Sequence, residues 1–139
     1  MSGGLPPVDL ESSGAFARAS GFDPVEVSGT RVTGTVDLGP EQHTPWGVVH
    51  GGVYCTVVES AASIGASTAV REHGQFSVGV NNSTDFVRSM TAGRIDVVAE
   101  PVQQGRTQQL WQVTLTRAED GKLVAQGRVR LQNVPLPGS

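Results

Sequence analysis

The chain has one cysteine, Cys55, and so can form no disulfide within itself. That suits a reducing compartment, and a cytoplasmic location is expected. Aromatics are scarce at 5%, and hydrophobic residues make up 37%, so 139 residues fit one modest core. One domain spanning residues 1–139 is expected, with residues 1–9 as a flexible lead rich in glycine and proline. A core this lean favours burial of further surface against other copies of the chain. Excess positive charge is also missing. Ten Lys and Arg against thirteen Asp and Glu give a formal charge of -3, which is no footprint for nucleic acid. The start, Met-Ser-Gly-Gly-Leu-Pro-Pro, lacks the basic and apolar segments of a signal peptide. The stretch 48–70 is long, but Glu59, His50 and many Gly, Ser and Thr residues argue against a membrane span.

Charge is absent from one stretch in particular. Between Glu41 and Arg71, Glu59 alone carries a formal charge at neutral pH. It stands inside Val53-Tyr-Cys-Thr-Val-Val-Glu-Ser-Ala-Ala-Ser-Ile-Gly-Ala. A carboxylate there is costly to bury without compensation, which makes it a candidate for chemistry. A structural glutamate satisfied by backbone or by an arginine is the alternative.

The patterning predicts a short helix over 10–19, capped by Ser12 or Ser13 and ended by Gly21 and Pro24. Short strands are predicted at 25–27 and 31–37 around Gly29. A loop at Pro45-Trp46-Gly47 precedes a helix over 51–71 that Gly74 stops. Its β-branched residues give it poor intrinsic propensity, so packing must hold it. Period-2 patterning then predicts strands at 76–86, 95–101, 107–117 and 123–134. Asp120-Gly121 is a hairpin signal between the last two. One helix laid on a curled antiparallel sheet is an α+β arrangement.

His50-Gly51-Gly52 opens the long helix without a bulky side chain on its first residues. The first N–H groups of a helix lack internal partners and carry partial positive charge. Gly51 N–H is therefore a candidate oxyanion donor, and a plain turn is the alternative. Ser63 lies one turn beyond Glu59, within reach of its carboxylate or of a water beside it. From Gly51 to Glu59 is about 12 Å along a helix, so one helix cannot aim both groups at one carbonyl. Two antiparallel helices across a two-fold axis can, which predicts a dimer with two composite sites. The three histidines, His43, His50 and His73, lack the spacing of a metal site.

The motif Thr44-Pro-Trp-Gly-Val-Val-His-Gly-Gly, with an acid nine positions after His50, resembles the PaaI-type hotdog-fold acyl-CoA thioesterases. It is similar in particular to the branch that uses glutamate, as 4-hydroxybenzoyl-CoA thioesterases do. The resemblance covers residues 16–134, including the Gln104-Gly105-Arg106 turn. It implies a hotdog fold, a long central helix wrapped by a curved antiparallel sheet. It implies hydrolysis of an aryl- or short- to medium-chain acyl-CoA, with coenzyme A as part of the substrate and no cofactor. Under it, Glu59 is nucleophile or general base and Gly51 polarises the thioester carbonyl. His50 lies near the thiol leaving group or structures the loop, and Ser63 supports carboxylate or water. Thr44 and Gly52 line the substrate, and Arg88, Arg94 and Arg106 are candidates for the phosphates of CoA. A homodimer, assembled further into a dimer of dimers, is implied. Thr44 departs from the family's usual Asn or Gln, leaving His43 or water to fill that role. A non-catalytic acyl-CoA-binding protein of the same fold is the alternative function.

Overall fold

The computed structural model describes residues 13–138. Helix α1 spans Ala15–Ser20, strands β1 and β2 span Phe22–Val27 and Val32–Leu38, and helix α2 spans Gly51–Val70. Strands β3 to β6 follow at Gln75–Phe86, Gly93–Gln104, Gln108–Arg117 and Leu123–Pro135. All pairings are antiparallel, and the six strands form one sheet in the order β1-β2-β4-β5-β6-β3. This is the expected hotdog arrangement, with α2 packed against every strand.

The alternation in β5 is the clearest link from sequence to core. Trp111, Val113 and Leu115 are fully buried, while Leu110, Gln112 and Thr114 face the other side. The inward set meets Val57, Val58, Ala61, Ala62 and Ala66 of α2 in one cluster. Small helix residues let the sheet close in. At Gly65 a Cβ would stand 2.4 Å from the Trp111 ring, so the indole occupies the space a side chain would need. By length and composition alone α2 could cross a membrane; here the sheet wraps it, and half of that apolar window is buried.

Several local expectations need correction. The first helix begins at Ala15, its N-cap is Gly14, and no side chain caps it. The expected cap at Ser12 and the start at residue 10 lie outside the described residues. Gly21 ends the helix in the left-handed region at φ 78°, as expected, but Pro24 belongs to β1. Proline is tolerated there because β1 is an edge strand with a free N–H side. Residues 71–73 leave α2 as a separate 3-10 turn, closed by Gly74.

The period in β3 also breaks. A bulge between Gly79 and Asn81 inserts an extra residue. Before it, odd positions face the helix: Ser77 is tied to Ser67, and Gly79 lies against Glu59. After it, even positions do: Asn82 bonds Glu59, and Phe86 lies on Gly51. The strand thus runs antiparallel along α2 from its last turns to its first.

Candidate active site

Glu59 is half-buried on α2, and β3 holds it. Asn82 Nδ2 donates to Glu59 Oε1 at 3.1 Å and to the Cys55 carbonyl at 3.1 Å. Thr84 Oγ1 donates to Asn82 Oδ1 at 2.6 Å, which fixes the amide with its N–H side towards the carboxylate. The second oxygen, Oε2, sits over Gly79, where a Cβ would fall 1.9 Å from it. Any side chain at 79 would displace the carboxylate. None of the ion pairs among the described residues involves Glu59, so no arginine of the protomer neutralises it there. A carboxylate with one amide donor and no cation keeps lone pairs for chemistry.

The other half of the expected site is the start of α2. His50 is the N-cap, and its Nδ1 accepts from Gly52 N–H at 2.8 Å. Val53 N–H bonds the His50 carbonyl at 3.0 Å. Gly51 N–H donates to no acceptor within the described residues. The expected free donor is therefore present, and the Gly52 donor is spent on the cap. With Nδ1 accepting, the neutral His50 ring carries its proton on Nε2, the nitrogen left free. The loop ahead of the helix is pinned by His50 N–H to the Gln42 carbonyl and by Val49 N–H to the Met90 carbonyl, both at 2.8 Å.

Other expected residues stand apart from Glu59. Ser63 makes no hydrogen bond to it and instead lines a groove with Phe22, Pro24, Ser60 and Ile64. Thr44 Oγ1 accepts from Trp46 N–H at 3.2 Å, and His43 Nε2 meets the Thr91 carbonyl at 2.6 Å, so both serve the loop. Arg88 is anchored to the Leu123 carbonyl at 2.8 Å. Arg94 is held by both Asp37 oxygens at 2.9 and 3.1 Å, across the β2–β4 register. That pairing lowers the Asp37 pKa through the Arg94 hydrogen bond. Arg106 alone of the three has a guanidinium with no partner among the described residues. It borders a groove of about 510 Å³ with His73, Gln75, Gln104 and Asn133, beyond the C-terminal end of α2.

Asn82, Thr84, Gly79 and Phe86 escaped the reading of the sequence. A strict period-2 reading of 76–86 hides them, since the bulge changes which residues face the helix. The signal available was the break in alternation at Asn81-Asn82, where two polar residues follow Val80 in sequence.

Within the protomer Glu59 and Gly51 N–H do not converge, being separated by two turns of α2. Yet β3, which carries the partners of both, is an unpaired edge of the sheet. Val78 and Val80 on it are 36% and 56% exposed.

Known proteins share this fold. A family model described as the thioesterase superfamily matches residues 47–124, from the turn ahead of α2 into β6. A presumptive esterase of Mycobacterium tuberculosis is 43% identical over 92% of each chain. Its solved structure superposes with a TM-score of 0.83, covering 86% of this chain and 96% of that one. The crystal structure of a Haemophilus influenzae thioesterase gives a TM-score of 0.84 at 25% identity, over 94% and 90% of the two chains. A 1,4-dihydroxy-2-naphthoyl-CoA hydrolase of Listeria monocytogenes is 29% identical over 69% of this chain and 77% of its own.

Proposed function

Since the chain belongs to the thioesterase superfamily and is a thioester hydrolase, we propose that it cleaves an acyl-CoA in a site shared by two protomers. The products are the free acid and CoA, and the acyl group is aryl or short- to medium-chain. The observation that carries this reading is Glu59 itself: half-buried, oriented by one amide and lying against an open sheet edge.

Pairing two β3 edges antiparallel extends one sheet across a two-fold axis. It also sets the two α2 helices side by side and antiparallel. Glu59 of one protomer then approaches the α2 N-terminus of the other, which removes the 12 Å obstacle. The thioester oxygen is received by Gly51 N–H and the positive helix end, where charge develops as the carbonyl becomes tetrahedral. Glu59 attacks the carbonyl carbon or takes a proton from an attacking water. In both routes the C–S bond breaks and the thiolate leaves as CoA; where Glu59 is the nucleophile, the acyl anhydride it forms is then hydrolysed by water, which releases the free acid and restores the carboxylate. His50 Nε2 is the ring nitrogen placed to meet it, because Nδ1 is committed to the cap. Arg106, whose guanidinium has no partner among the described residues, is the best of the three arginines for a CoA phosphate. Coenzyme A arrives as substrate, and the scheme uses no separate cofactor. A dimer of dimers is the proposed full assembly.

The test is thiol release from an acyl-CoA panel by the wild type and by Glu59→Gln. The variant keeps the shape of the side chain and removes its charge. A fall in kcat on the order of 10²–10⁴ is expected with the fold intact. Unchanged hydrolysis would sink the proposal. Saturable acyl-CoA binding by a wild type that releases no thiol would instead favour a binding protein.

A further inference from the structure

Gly51 has no space for a side chain. A Cβ built there would lie 2.3 Å from Phe86 Cε2, 2.7 Å from Cζ and 2.9 Å from Cδ2. The ring comes from the last residue of β3, beyond the bulge. It also meets Tyr54, with ring centroids 5.8 Å apart and planes tilted by 55°. Tyr54 lies one turn after Gly51 and is buried. Phe86 nevertheless stays 54% exposed. One part of the ring is thus seated on the first turn of α2, and the rest faces outward beside the free Gly51 N–H.

We propose that Phe86 forms a substrate-contacting wall of the carbonyl site, and that position 51 must be glycine to receive this ring. The inference rests on the acyl-CoA reading above and deepens it. A glycine at a helix start suggests room for a ligand; here an aromatic ring fills that room. A thioester reaching Gly51 N–H must pass along the exposed part of the ring. The ring therefore selects among acyl groups by their bulk next to the carbonyl. A small or linear group slides past it, and a broad one packs on it.

The experiment compares Gly51→Ala, Phe86→Leu, Phe86→Ala and the double variant Gly51→Ala/Phe86→Ala. Hydrolysis of butyryl-CoA and benzoyl-CoA is measured with the melting temperature of each protein. Phe86→Leu should change the benzoyl-to-butyryl ratio of kcat/KM by roughly tenfold, the scale of one lost aromatic contact. Gly51→Ala should melt several degrees lower and lose activity, because its new methyl group meets the ring. Measured against Phe86→Ala, the double variant should lose little further stability or activity, since the space freed by the ring accepts the methyl group. A Gly51→Ala penalty as large in the Phe86→Ala background as in the wild type, or an unchanged ratio in Phe86→Leu, overturns the inference. Glu59→Gln, run alongside, separates the two claims. If it still hydrolyses, the reading of the site fails, and the melting temperatures alone then decide the Gly51–Phe86 fit.

Discussion

The two edges of the sheet differ in almost every respect. Edge β1 has six residues, contains Pro24, carries Asp23 and Glu26, and is broken by a bulge between Pro24 and Glu26. Edge β3 has twelve residues, no proline, and one charged residue, Asp85, near its end. Short, charged, proline-bearing edges resist pairing with another chain; long edges with little charge and no proline invite it. Both edges expose valines, Val25 at 73% on β1 and Val80 at 56% on β3, so hydrophobicity alone does not separate them. What separates them is length, proline and charge, since each strand carries a bulge. The strand proposed to pair is also the strand that holds Glu59 through Asn82 and covers Gly51 with Phe86. On the proposed reading, assembly and chemistry depend on the same element.

The contrast can be broken most forcefully at β3. Val78→Lys together with Val80→Lys places two like charges at each copy of the open edge. Sedimentation should show a monomer, and kcat/KM should fall by more than about a hundredfold, since an oxyanion donor and its acid no longer meet. Val25→Lys on β1 should leave both assembly and activity unchanged. An active monomer would refute the shared site.

A smaller effect is expected inside the strand. Asn82→Ala removes the donor to Glu59 and leaves the Cys55 carbonyl short of a partner. Stability should drop by about 1–2 kcal/mol in denaturant melts, with activity reduced roughly tenfold. Thr84→Val should act in the same direction and more weakly, because it only frees the Asn82 amide to turn.

The smallest effect should come from Tyr54. Its hydroxyl is buried without a hydrogen-bond partner among the described residues, and burial pushes its pKa up to about 12 from 10.0. The folded state thus keeps a proton that the unfolded chain gives up. Stability should be unaffected below pH 10 and should decline as pH rises from about 10 to 12. Tyr54→Phe should be neutral or slightly stabilising at pH 7. It should also flatten that alkaline decline in melts followed against pH.

Much of the fold was legible because patterning and burial coincide. The alternation of β5, the turn at Asp120-Gly121 and the small-residue character of α2 all report a helix under a sheet. Glu59 was legible because a charge stands out in an apolar run, and Gly51 because glycine stands out at a helix start. Ser63 does not bond Glu59 within the protomer, since sharing a helix face does not fix which neighbour a side chain meets. Arg88 and Arg94 looked available because their acceptors, Leu123 and Asp37, come from other parts of the chain.

The order of residues alone settled the elements, the lone acid and its distance from the helix start, because these follow from local chemistry and helical rise. Folding in three dimensions decided what meets Glu59 and Gly51. One inserted residue in β3 changed the face of every side chain after it, bringing Asn82 to the acid and Phe86 to the glycine. A period of two carries no memory of which face is inward once a bulge intervenes, and only the packed sheet restores that information.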